Sequence, residues 1–162
     1  MNPIATHQPV LIEAIQRSAG AILELGAGDY STELIHSLAP ERKILTVDDN
    51  QPWIDKYKHL ASDRHEFVLL ADDLFERYGR EWAVVLVDLS TWDQRIWAIN
   101  KLRYHCDYMV IHDAEVMDLG HYFKYWREYR TNDFPMPTTL IGSNKLSLDD
   151  IRVEGATIVN HG

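Results

Sequence analysis

Carboxylates recur along this chain inside or just after short apolar runs. Glu24 lies in Ala21–Leu25 (AILEL), and Asp48 and Asp49 close Lys43–Val47 (KILTV). Asp72 and Asp73 follow Glu66–Leu70 (EFVLL), Asp88 ends Trp82–Val87 (WAVVLV), and His112 and Asp113 end Tyr108–Ile111 (YMVI). If these runs are parallel strands of one sheet, the acids gather on the rim where open α/β sheets bind ligands. A cationic or hydroxylated ligand suits such a rim. Each Asp also has a plainer explanation, since Asp caps the helix that follows a strand. Recurrence at successive strand ends weakens that explanation without removing it.

The sharpest motif is Glu24-Leu25-Gly26-Ala27-Gly28-Asp29-Tyr30-Ser31. Glycines at 26 and 28 permit a tight turn and let a ligand approach the backbone. A dinucleotide fingerprint would place a third glycine where Ser31 stands. Glu24, just before the turn, would repel a diphosphate but tolerate an ammonium or sulfonium group. Asp48 is placed to accept hydrogen bonds from a ribose diol, and Asp72 to lie by an adenine amino group.

The elements that position these residues alternate in hydrophobic period. Helical spacing over Pro9–Arg17, Ser31–Leu38, Pro52–Leu60, Leu74–Tyr78, Asp93–Tyr104 and Tyr122–Tyr129 separates the apolar runs, and Thr138–Gly142 and Ala156–Val159 read as two last strands. Near-continuous apolar strands between helices predict an α/β fold, a doubly wound, mostly parallel sheet with helices on both faces. With 162 residues and no linker-like stretch, a single domain over 1–162 is expected.

Composition excludes several classes. With 16 Lys+Arg against 25 Asp+Glu the formal charge is −9, the wrong sign for nucleic acid or an anionic membrane. A small neutral or cationic molecule is the easier partner. No apolar run is long enough to span a bilayer, and the start lacks the layout of a signal peptide. One cysteine, Cys106, excludes an internal disulfide framework and points to a reducing cytoplasm.

AILELGAGDYST, TVDDN, LLADDLF, VVLVDLSTWD and MVIHDAE, in this order, resemble the class I S-adenosylmethionine-dependent methyltransferases, nearest to the small-molecule O-methyltransferase-like group. The resemblance covers Ala21 to Ala114. It implies a Rossmann-like, seven-stranded sheet with a reversed final hairpin, which the last two strand candidates would supply. It also implies that Glu24, Gly26 and Gly28 line the methionine part of the cofactor, with Ala27 and Ser31 in the same turn. Asp48, with Asp49 beside it, would hold the ribose, Asp72 the adenine, and Asp88 would lie by the reacting methyl. Two stretches depart from the pattern. Asp88 is followed by Leu89-Ser90-Thr91-Trp92 rather than a glycine and a nearby histidine, and His105-Cys106-Asp107 replaces a usual glycine pair.

The resulting expectation is methyl transfer to a small hydroxylated acceptor such as a sugar or metabolite. Asp88, His112 and Asp113 are the catalytic candidates: together they would hold a divalent cation such as Mg2+, or His112 would act alone as base. The chain leaves little room for a substrate cap, so the acceptor pocket would come from the N-terminal segment, the Glu115–Asn144 region or a second subunit of a homo-oligomer. The remaining histidines show no ligand spacing and read as surface or loop residues, with His7-Gln8 a candidate to close over the cofactor. Tyr122, Tyr125, Trp126 and Tyr129, on a helix, would form a packing stripe or line the acceptor pocket. An NAD-type nucleotide-binding protein and a noncatalytic Rossmann-like module are the alternatives.

Overall fold

In the computed structural model, which describes residues 5–79 and 81–162, the apolar runs form one mixed sheet. The strands are β1 (Ile22–Leu25), β2 (Ile44–Asp48), β3 (His65–Leu69), β4 (Trp82–Val87), β5 (Cys106–His112), β6 (Tyr125–Thr131), β7 (Thr139–Ser143) and β8 (Ala156–His161). Their spatial order is β3-β2-β1-β4-β5-β7-β6-β8. β1 to β5 run parallel, whereas β7 is antiparallel to β5, β6 to β7, and β8 to β6. The order reverses between β1 and β4, which creates the crevice at a topological switch point.

Alternate residues of the central strands supply two cores. Leu23, Leu25, Val85, Val87, Met109 and Ile111 face one side, under Ala98, Ile99 and Leu102 of a helix over Trp92–Leu102 (α5). Ile22, Ile44, Val84, Leu86 and Val110 face the other, under Val10, Leu11, Ala14 and Ile15 of the first helix (α1, Gln8–Gln16) and Ile35 of the second (α2, Thr32–Leu38). Each fully buried Val, Leu, Ile or Met side chain among these stabilises the fold by about 1.5–3 kcal/mol. Helices over Gln51–Tyr57 (α3) and Leu74–Arg77 (α4) complete the βα alternation.

The sheet has eight strands rather than seven. The difference lies in Tyr122–Tyr129, which is not helical: a short 3-10 turn over Gly120–Tyr122 leads into strand β6. Aromatic residues favour a pleated surface, and read with period two the segment sends Tyr129 to one core and Trp126 to the other. The antiparallel hairpin is therefore β6–β7, and Ala156–His161 adds a further strand on the outer edge. The four aromatics form no single stripe.

No described helix is long and apolar enough to cross a membrane. Cys106 is buried in β5, and desolvation pushes its thiol up to about 12.

Candidate functional site

The turn after β1 is fixed from both sides. Gly26 has φ +102, and an added Cβ would stand 2.2 Å from the Asp88 carbonyl oxygen, so the backbone of β1's end touches that of β4 only because position 26 lacks a side chain. Asp48 closes β2 with both carboxylate oxygens engaged: Oδ2 accepts from the Ala27 N–H at 2.8 Å and Oδ1 from the Asn50 N–H at 2.8 Å. It therefore shapes the turn directly. Gly28 donates its N–H to the Thr32 hydroxyl, and Ser31 is buried at the start of α2.

Glu24 is fully buried beneath this turn. The Thr32 hydroxyl donates to Oε1 at 3.1 Å and the Thr46 hydroxyl to Oε2 at 2.7 Å, with Ser31 contributing a further bond. Burial outweighs these bonds and raises its pKa to about 7. Thr46 also meets His65 Nε2 at 2.8 Å, and His65 Nδ1 lies 3.0 Å from His36 Nδ1. His65, expected at the surface, is instead a buried member of this network, and desolvation lowers its pKa to about 4.

Asp49 points the other way. It is exposed, and it accepts from the Ser90 hydroxyl at 3.0 Å and the Gln94 amide at 2.9 Å, tying the end of β2 to the start of α5. A capping box between Thr91 and Gln94 fixes that helix start. Asp49, Leu70, Ala71, Asp72, Asp93, Gln94 and Trp97 line a cavity of about 430 Å³. Asp72, expected by the adenine, and Asp49 thus share one hollow, while Asp48, the acid expected to hold the ribose, has both oxygens on backbone N–H groups and supports the turn behind it.

At the ends of β4 and β5 the side chains converge on Arg95. This buried guanidinium donates to the Leu89 carbonyl at 2.6 Å, the His112 carbonyl at 2.9 Å, Asp88 Oδ1 at 2.8 Å and Asp113 Oδ2 at 3.2 Å. Asp113 adopts a left-handed conformation, φ 55, which an aspartate tolerates better than most residues. His112 Nδ1 lies 3.3 Å from Asp88 Oδ2, and its Nε2 lies 3.2 Å from the Thr6 hydroxyl. His7 packs edge-on against the His112 ring with centroids 4.6 Å apart. It is 3% exposed, and neither ring nitrogen makes a hydrogen bond of ordinary distance and angle, although the Tyr30 backbone lies close by. Burial first, then neighbouring His112, lowers its pKa to about 4 against weaker opposing effects of Asp88 and the Tyr30 backbone.

Ligand atoms of His7, Asp88 and His112 all lie within 4.8 Å of one another. The expected trio was Asp88, His112 and Asp113. Asp113 is not in the converging group: its Oδ2 accepts from Arg95, and its Oδ1 stands 3.8 Å from His112 Nδ1. His7, read as a possible closing residue rather than a ligand, takes its place.

Arg95 and Thr6 escaped the sequence reading. A cation next to the apolar positions of α5, seven residues after Asp88, was the only available signal for Arg95. The Asn144 amide is used up in holding the Arg103 and Tyr122 carbonyls, at 3.0 and 3.1 Å. Trp53 stacks on Tyr57 with Lys56 over its ring, and Trp97 on Phe75.

No protein-family model matches the chain, and no curated protein does. Solved structures do match. The cofactor-bound protein Rv0187 from MTB superposes with TM-score 0.61 at 14% identity, over 90% of this chain and 82% of that one. A TehB-like SAM-dependent methyltransferase from Corynebacterium glutamicum gives 0.57 at 15%, over 84% and 85%. The bifunctional kinase-methyltransferase WbdD gives 0.58 at 16%, over 89% of this chain but only 40% of its own length. The chain has the Rossmann-like α/β fold of class I methyltransferases.

Proposed function

We propose that the chain catalyses methyl transfer from S-adenosylmethionine to a small hydroxylated acceptor. The observation that carries this reading is the meeting of the Gly26 turn with the end of β4, which brings the glycine-rich turn and the Asp88–His112 pair to one switch point. The residues fit the cofactor chemically: the turn is glycine-rich, and Asp49 and Asp72 line the hollow beside it. Asp49 and Asp72 would take the adenosine hydroxyls and amino group, the 26–28 turn the methionine part. Ala27, Ser31 and Asp48 shape that turn, and Glu24 supports it from below.

Bound S-adenosylmethionine supplies an electrophilic methyl group on a sulfonium. This chain's residues orient an acceptor oxygen for in-line displacement and deal with its proton. With the methyl supplied by the sulfonium, which would be left as a neutral thioether, the Asp88–His112 pair would pass the acceptor's hydroxyl proton to solvent. Arg95 holds Asp88 and the His112 carbonyl in place for this. The acidic balance of the whole chain favours a neutral or cationic small molecule over nucleic acid or membrane, and the single cysteine suits a reducing compartment.

Calorimetric titration with S-adenosylmethionine, S-adenosylhomocysteine and NAD tests the reading. Both sulfur ligands are expected to bind and NAD not, and Asp72→Ala should weaken binding about tenfold, the effect of one lost hydrogen bond to a charged group. Binding of NAD in preference, or of none of the three, overturns it. Labelled methyl transfer to a panel of hydroxylated acceptors then identifies the substrate.

A further inference from the structure

We propose that His7, Asp88 and His112 bind one divalent transition-metal ion. Three ligand-bearing side chains from distant parts of the chain bring their donor atoms within 4.8 Å of one another. His7 adds an independent observation: a buried imidazole at the cluster with no hydrogen bond at either nitrogen. Buried polar groups are ordinarily paired, and an ion is the partner this arrangement lacks.

The surroundings fit. The Thr6 hydroxyl stands at His112 Nε2, so the Nε2–H can donate to it and leave the Nδ1 lone pair toward Asp88 Oδ2. Their 3.3 Å separation is long for a charge-assisted hydrogen bond and suits two ligands of one ion. Arg95 occupies the other Asp88 oxygen and is balanced by Asp113, so the cluster keeps a net negative charge. The Asp88 side chain is 27% exposed, which leaves an approach from the crevice. Two imidazoles and one carboxylate select ions such as Zn2+ or Fe2+ over Mg2+, which prefers oxygen ligands alone.

An ion held by three protein ligands keeps positions open and lowers the pKa of a hydroxyl bound to it. For that role, though not for metal binding, the inference rests on the methyl-transfer reading. Asp88 and His112 then act as ligands, and the acceptor proton passes from the ion-bound hydroxyl to solvent.

The test is titration of the metal-free full chain with Co2+ alone near neutral pH, followed by visible absorption. One Co2+ per chain is expected, displaced by Zn2+. His7→Ala should weaken uptake by more than about 100-fold, beyond the loss caused by removing an outer-sphere partner, while His161→Ala, at an exposed histidine on the edge strand β8, should leave it close to wild type. No spectral change, or equal uptake by wild type and His7→Ala, overturns the site. If His7→Ala does not fold, nitrogen-labelled histidine spectra of the wild type decide: Co2+ must broaden the His7 and His112 ring signals, and unbroadened rings overturn the site. Ligand calorimetry separates the two proposals. S-adenosylmethionine binding without Co2+ uptake defeats only the metal site, and the reverse outcome defeats only the methyltransferase reading.

Discussion

Around Glu24, in β1, a buried carboxylate has both oxygens occupied by the hydroxyls of Thr32 and Thr46. One strand away, at the end of β4, Asp88 leans on Arg95 and His112, and the neighbouring His7 is buried with two bare nitrogens. Both regions combine a carboxylate of a central parallel strand's end with histidines: Glu24 in β1 is linked through Thr46 to His65 at the start of β3, and Asp88 just past β4 meets His112 at the end of β5. Satisfaction of the hydrogen-bonding groups, not residue type, separates them. The first network is closed and shapes the turn; the second is left open to a ligand.

The contrast can be broken most forcefully at Arg95. Arg95→Met removes the donor shared by two carboxylates and two carbonyls, and should cost about 3–5 kcal/mol of stability, the range for breaking one side of a buried ion pair. Urea denaturation measures it, and a loss below about 1 kcal/mol would show that solvent already carries those carboxylates.

A pH series sharpens the other half. The folded-state pKa of Glu24 stands at about 7, raised from 4.5. Folding therefore favours its protonated form, and stability falls as pH rises from 4.5 through about 7, with a total of order 3 kcal/mol. Glu24→Gln keeps an oxygen for the threonine hydroxyls and removes this dependence. The difference between variant and wild-type unfolding free energies should grow in the variant's favour across that window and level off above it. A difference independent of pH contradicts burial as the cause.

Asp88→Asn probes the open network through turnover. It keeps the side-chain volume and an acceptor for Arg95, so the fold should persist, while methyl transfer should drop about 100-fold, or ~2.7 kcal/mol. Labelled methyl transfer at saturating cofactor reads this, and unchanged turnover would move the chemistry away from β4. The smallest effect is expected at Thr91. Thr91→Ala removes the capping box that starts α5 and should lower stability by about 1 kcal/mol, seen as a shift in thermal midpoint.

The parallel half of the fold was legible because its strands are buried on both faces and read as continuous apolar runs, as in WAVVLV (Trp82–Val87). KYWREYR, Lys124–Arg130, was not: aromatics at mixed spacing fit helix and strand periods alike, and only the pairing of β6 with β7 and β8 decides. In the site, the strand-end acids lie on one edge as alternation required. Which acids face inward followed no rule of position: Asp48 and Asp49 are neighbours, yet one binds backbone and the other lines the cavity. His7 and Arg95 come from separate segments, and their meeting with Asp88 is a product of tertiary packing.

The N-terminal segment has a practical side. Gln8 holds the Tyr30 carbonyl and Thr6 reaches His112, so residues at and just ahead of the start of α1 contact the strand-end loops. A sample shortened to begin at Gln8 would keep every helix and strand named above and would look intact by circular dichroism. It would nonetheless lack Thr6 and His7. Failure of such a shortened sample in an activity screen would report on the trimming, not on the intact chain.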